Sequence, residues 1–215
     1  MSKLSKRHFW EWFKRYNKEY LELNKKSNKE AGYWVNELNA HLRAYFKFFG
    51  FSITLQDNRR STLTITVNGK ASHFKKADSL VALAPEIPGW RITSLEDPRP
   101  ADFLLEKQME DAGIDHSELC FSLSGDDPVY TDIMVYHPLC TEDKESLFSQ
   151  LVTAALYNLL GERSFGMDIG QVEVANLSSA DPDEVQKLEE LPAYLGLRRS
   201  SMVVDGSGML SGGGD

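Results

Sequence analysis

Cysteine, long apolar runs and catalytic signatures are all scarce in this 215-residue chain, and each scarcity excludes a class of protein. Only Cys120 and Cys140 are present. Two cysteines are too few for a disulfide scaffold and suit a reducing compartment, where buried thiols behave as small hydrophobes. No apolar run approaches the roughly 18 residues that a membrane-spanning helix needs. The richest stretch, LFSQLVTAALYNLLG, is interrupted by Ser149, Gln150, Thr153 and Asn158. The opening MSKLSKRHFWEWF has charges ahead of its aromatics but neither an apolar h-region nor a small-residue cleavage site, so it does not read as a secretory signal. A cytoplasmic protein with no membrane span is the expectation.

Signatures of catalysis are equally thin. No GxxxxGK[ST], GxGxxG or G-x-S-x-G occurs, so a nucleotide-binding enzyme of a known motif class or a serine hydrolase with a nucleophile elbow is not expected. For a metal, the best set is His116, Cys120, His137 and Cys140, spaced H-x3-C and H-x2-C; structural zinc sites use tighter paired spacings, so no metal is expected. Asp126 with Asp127, or Glu162 with Asp168, are carboxylate pairs of the type used in general acid–base chemistry. Nothing near them in sequence would desolvate them, and acidic loops are ordinarily solvated. No catalytic residue, cofactor or metal ligand is therefore expected.

Charge is abundant but uneven. Residues 1–99 carry 18 Lys+Arg against 10 Asp+Glu, and residues 100–215 carry 6 against 22, within a net charge of −8. The split fits a basic face for an anionic partner or two halves whose charges complement each other, and the internal complement is the favoured of the two. An overall acidic chain makes nucleic acid an unlikely partner.

Hydrophobic residues at 41% and charged residues at 26% are ordinary for a folded domain. Phe9, Trp12, Phe13, Tyr16 and Tyr20 recur every three or four positions, which predicts a helix over about 4–24 with Ser5 as N-cap; Trp10 falls off this stripe. Its lysines, on the other face, could suit RNA, a membrane surface or an acidic protein, but a solvated surface explains them. A second helix follows over about 29–48, so residues 4–49 form a helical hairpin, and Trp12 is the expected buried anchor. The period then switches to two: strands over FSITLQD and STLTITVNG, a short helix over 76–84, and a strand from Trp90 to Leu95. Residues 101–115 are ambiguous between strand and helix. A strand pair over 118–125 and 130–138 precedes the longest helix, about 142–160, with Thr141 as N-cap and Gly161 as C-cap. A last strand spans 170–177. The tail beyond 200 is Gly/Ser-rich and expected to be disordered. No internal repeat aligns.

The architecture this implies is α+β, with the N-terminal helical hairpin and a long C-terminal helix packed on a largely antiparallel sheet. One domain is expected over 1–199, with the sheet and its helices over 51–177 and an extension over 178–199.

FWEWF (9–13), APEIPGW (84–90), LLGE (159–162) and ELPAYL (190–195) together resemble landmarks of an uncharacterised group of bacterial proteins with an FW-x-WF helix and an AP-x-x-PGW segment. The resemblance runs over most of residues 8–195 and implies a bacterial origin and a shared fold, with no assigned activity. It departs at Tyr16-Asn17, where the group has its Asn one position earlier, and in the Gly-rich tail. Trp90 and Glu162 are the site candidates it implies, each beside a glycine at the edge of an element. Cys140, just ahead of a helix whose dipole lowers a thiol pKa, is a third. The function expected is a non-enzymatic protein-interaction module, chaperone-like or immunity-type; the alternative is an enzyme with an unrecognised carboxylate or thiol site.

Overall fold

In a computed structural model, residues 6–56, 59–99, 103–125, 127–204 and 210–212 are described. Ser5, Asp126 and parts of the tail, all of which carried expectations, lie outside them. Among the described residues, six helices and two mixed sheets make the protein α+β. The backbone divides into two compact units, residues 1–96 and 97–215, where the sequence pattern suggested one domain.

The first unit begins with helix α1 (Lys6–Leu21) and helix α2 (Asn28–Tyr45). Ser27 starts α2 through a capping box: its hydroxyl accepts from the Glu30 N–H while the Glu30 carboxylate accepts from the Ser27 N–H. That exchange satisfies two of the donors a helix start leaves open. The Trp12 anchor needs correcting. Trp10, expected off the apolar stripe, is 2% exposed and donates its indole N–H to the Leu80 carbonyl at 2.9 Å, whereas Trp12 is half-buried. The aromatic stripe of α1 is wider than a three-four count suggests, and the ring with a long-range acceptor goes deepest.

Strands β1 (Gly50–Thr54), β2 (Ser61–Thr66) and β3 (Trp90–Ser94) lie in the order β1-β2-β3. The first pair is antiparallel, and the second is parallel because helix α3 (Phe74–Val81) carries the chain back across the sheet. A parallel neighbour requires such a crossover. Ser61, Leu63, Ile65 and Val67 are buried along one face, and Thr64 and Thr66 on the alternate positions are buried too, as befits a central strand.

The second unit repeats that connectivity. Helix α4 (Phe103–Asp111) resolves the ambiguity of 101–115. Strands β4 (Cys120–Leu123) and β5 (Thr131–His137) are antiparallel; helix α5 (Glu145–Asp168) then crosses to strand β6 (Ile169–Asn176), which is parallel to β5. Strand β7 (Gln186–Lys187) pairs with the outer edge of β4, giving the order β6-β5-β4-β7. Helix α6 (Leu191–Ser201) follows. The expectation of one largely antiparallel sheet thus gives way to two mixed sheets, because α3 and α5 are crossovers. α5 is interrupted at Gly161, with φ 73° and ψ 163°. Beyond α6, strands β8 (Met202–Val204) and β9 (Leu210–Gly212) pair antiparallel within the tail expected to be disordered.

Candidate functional site

Three sequence-derived candidates, Trp90, Cys140 and Glu162, are all buried. Trp90 belongs to the first unit and is 3% exposed, with its ring edge-on to Phe13 at 5.3 Å and, among the described residues, no acceptor for its indole N–H. Cys140 and Glu162 belong to the second unit, at 4% and 0% exposure. Burial pushes the Cys140 thiol up, and the Glu145 carboxylate pushes it further in the same direction, opposite to what a nucleophilic thiol requires. The helix dipole expected to activate it is offset by that acidic first turn. Asn176 fastens the same loop, donating from Nδ2 to the carbonyls of Pro138 at 2.7 Å and Cys140 at 3.0 Å.

The remaining candidates serve the fold. Asp168 accepts from the Ser164 hydroxyl at 2.6 Å and pairs with the Arg199 guanidinium. Asp127 accepts the Val129 and Tyr130 N–H groups at 2.7 and 2.8 Å, which hold its carboxyl below the usual range. His137 is 1% exposed; its Nδ1 accepts from the Leu139 N–H at 3.1 Å, so the neutral ring carries its proton on Nε2. That Nε2 lies 3.4 Å from the Glu118 carboxylate without hydrogen-bond geometry. Burial lowers the His137 pKa, against the opposing pull of Glu118 and Asp115. Among the described residues, no group of three or more His, Cys, Asp or Glu side chains is placed to hold a metal ion.

A different cluster has the character of a binding surface. The chain leaves α2 at Phe46, buries Phe49, and starts β1 at Gly50. β2 pairs antiparallel with β1, so the end of β2 returns to this same place, opposite Gly50 at Thr66. There Asn68 and Gly69, with φ of 53° and 74°, turn the chain into a short 3-10 segment, Ala71–His73, that leads into α3. Two positive φ values in succession favour the Asn-Gly pair.

This junction collects Arg43, Lys47, Lys70 and Lys76 around the rings of Phe46, Phe48 and His73. Phe48 is 37% exposed. Its ring stacks on His73 at 4.9 Å, and the ammonium groups of Lys47 and Lys70 lie 4.7 and 4.9 Å from its centroid. Lys76 sits 4.0 Å from the Phe46 centroid. A shallow hollow of about 170 Å³ lies between Arg43, Phe48 and Lys70. Among the described residues, none of these four cations has a carboxylate within ion-pair reach. The first turn of α3 contains no acidic residue, so the positive end of its dipole adds to the field.

Cation–π contacts at exposed rings are worth about 0.5–1 kcal/mol each, enough to hold the ammonium groups in place without neutralising them. No family model, no curated protein and no solved structure matches the chain.

Sequence reasoning missed these residues. The signal was present as seven Lys/Arg against one acid, Asp57, over residues 43–76. It was diluted by counting charge over whole halves of the chain, and only the β1–β2 pairing brings KFF (47–49) beside Lys70 and His73.

Proposed function

We propose that this protein is a non-enzymatic interaction module whose first unit binds an acidic segment of a protein partner. The observation that carries it is a group of four cations with no carboxylate in ion-pair reach among the described residues, three of them held over the rings of exposed Phe48 and half-buried Phe46. Like charges gathered without counter-charge repel one another, and an approaching carboxylate-rich segment relieves that repulsion while covering Phe48. Cytoplasmic and bacterial origin, suggested by the scarcity of cysteine and by the resemblance noted above, are compatible with such a role. Against the alternative, a thiol or carboxylate enzyme, stand the burial and raised pKa of Cys140 and the enclosed position of Glu162.

The test is a titration of the full chain with fluorescent Asp/Glu-rich, neutral and Lys-rich peptides at low and high salt. The acidic peptide should bind, with affinity falling steeply as salt rises. Equal binding of all three peptides would reject the proposal. So would a clear preference for a single-stranded oligonucleotide over the acidic peptide, since stacking on Phe48 would then be serving bases.

A further inference from the structure

A second surface of the first unit has the opposite chemistry. Between α1 and α2 runs an open groove of about 310 Å³ whose lining includes Trp12, Tyr16, Tyr33, Trp34, Glu11 and Glu37. The rings follow one another in contact: Tyr33 to Trp34 at 5.2 Å, Trp34 to Tyr16 at 5.5 Å, and Tyr16 to Trp12 at 5.9 Å. Their planes meet at 75°, 39° and 49°, so the floor is corrugated by ring edges.

Several of these groups are not consumed by the fold. Tyr33 is 56% exposed. Among the described residues, the indole N–H groups of Trp12 and Trp34 have no hydrogen-bond acceptor, and neither Glu11 nor Glu37 has an ion-pair partner. Trp12 is braced from behind by the His41 ring, stacked at 3.9 Å. The Tyr20 hydroxyl donates to the Trp34 carbonyl at 2.9 Å and fixes α2 against α1. The strip is therefore held in shape before anything binds it.

We propose that this groove docks an extended, proline-rich peptide segment carrying lysine or arginine. A polyproline II chain is extended and pre-formed, with three residues per turn and a rise of about 3.1 Å per residue, so it can run along a row of ring edges. Such a chain has no internal hydrogen bonds, and its carbonyls suit the two free indole donors. Its prolyl rings settle between aromatic edges with little entropy left to lose. Glu11 and Glu37 supply the charge complement for its basic side chains, offset in part by Arg15, which also lines the groove. An amphipathic helix would need a broader apolar trough than rings flanked by carboxylates provide. This site is independent of the cationic patch, and either can fail without the other.

Tryptophan fluorescence and calorimetry of the full chain test it, using a synthetic proline-rich peptide with interspersed arginines, its Pro→Ala counterpart and its Arg→Glu counterpart. The first should bind, and each counterpart should bind at least about ten-fold more weakly, a loss of about 1.4 kcal/mol. Tyr33→Ala, at an exposed position, should weaken the first peptide by a similar factor while leaving the folded far-UV spectrum unchanged. Glu37→Gln should flatten the salt dependence. No binding of the arginine–proline peptide, equal binding of the Pro→Ala peptide, or undiminished binding by a folded Tyr33→Ala protein would overturn the proposal. A concentration-dependent dimer that blocks the peptide would also overturn it, because the groove would then belong to a second copy of the chain.

Discussion

At the scale of single residues, burial and hydrogen bonding decide which aromatic and titratable groups matter. Trp10 fills the core and donates to Leu80, whereas Trp12 is half-buried against His41. Trp10→Ala should therefore cost about 3–5 kcal/mol, with Trp12→Ala costing less. Urea denaturation of both variants checks the order, and a larger loss at Trp12 would contradict it. His137 gives a pH dependence with a definite sign. Its pKa is lowered in the fold, so the unfolded chain takes up a proton first as pH falls below about 6.5. The stabilisation held at neutral and alkaline pH is then lost between that value and the lower folded pKa. Urea midpoints should fall from pH 7.5 to 5.5 more in wild type than in His137→Gln; a midpoint that rises over that window would contradict the assignment. Little of this was legible beforehand, because a three-four count places residues on a face without saying which ring finds an acceptor seventy positions away.

At the scale of elements, most boundaries followed from local chemistry. The β1–β2 hairpin, β3, the β4–β5 pair and β6 all fall within a few residues of the alternation that marked them. The sheet assignments did not follow, since α3 and α5 reverse the chain direction and alternation alone does not distinguish parallel from antiparallel neighbours. Gly161 is the element-scale position with the clearest consequence. Expected as a helix stop, it adopts φ 73° and ψ 163° and the chain resumes helix after it, burying Glu162. That backbone region is essentially glycine-only, so Gly161→Ala should destabilise the second unit by about 1–3 kcal/mol. Denaturation of the variant checks it, and an unchanged midpoint would mean that the chain there relaxes into an ordinary helix.

At the scale of the whole molecule, the charge step noted in the sequence falls at the boundary between the compact units. Residues 1–96 carry 17 Lys+Arg against 9 Asp+Glu, and residues 97–215 carry 7 against 23. The functional consequence of that step was hidden, because it depends on which cations the fold leaves without a carboxylate. Residues separated in sequence, from Arg43 to Lys76, become one surface only through the β1–β2 register. The shared strand-strand-helix-strand plan of the two units was likewise invisible to alignment, being carried by connectivity rather than by matching residues.

The central claim is that the patch, and not overall charge, recruits an acidic partner. Its most direct test measures acidic-peptide affinity for Lys47→Gln/Lys70→Gln beside a control of equal charge change on exposed positions of α1, Lys14→Gln/Lys18→Gln. The patch variant should lose at least about ten-fold in affinity, about 1.4 kcal/mol, and the control less than about two-fold. Equal losses in the two variants would contradict the claim.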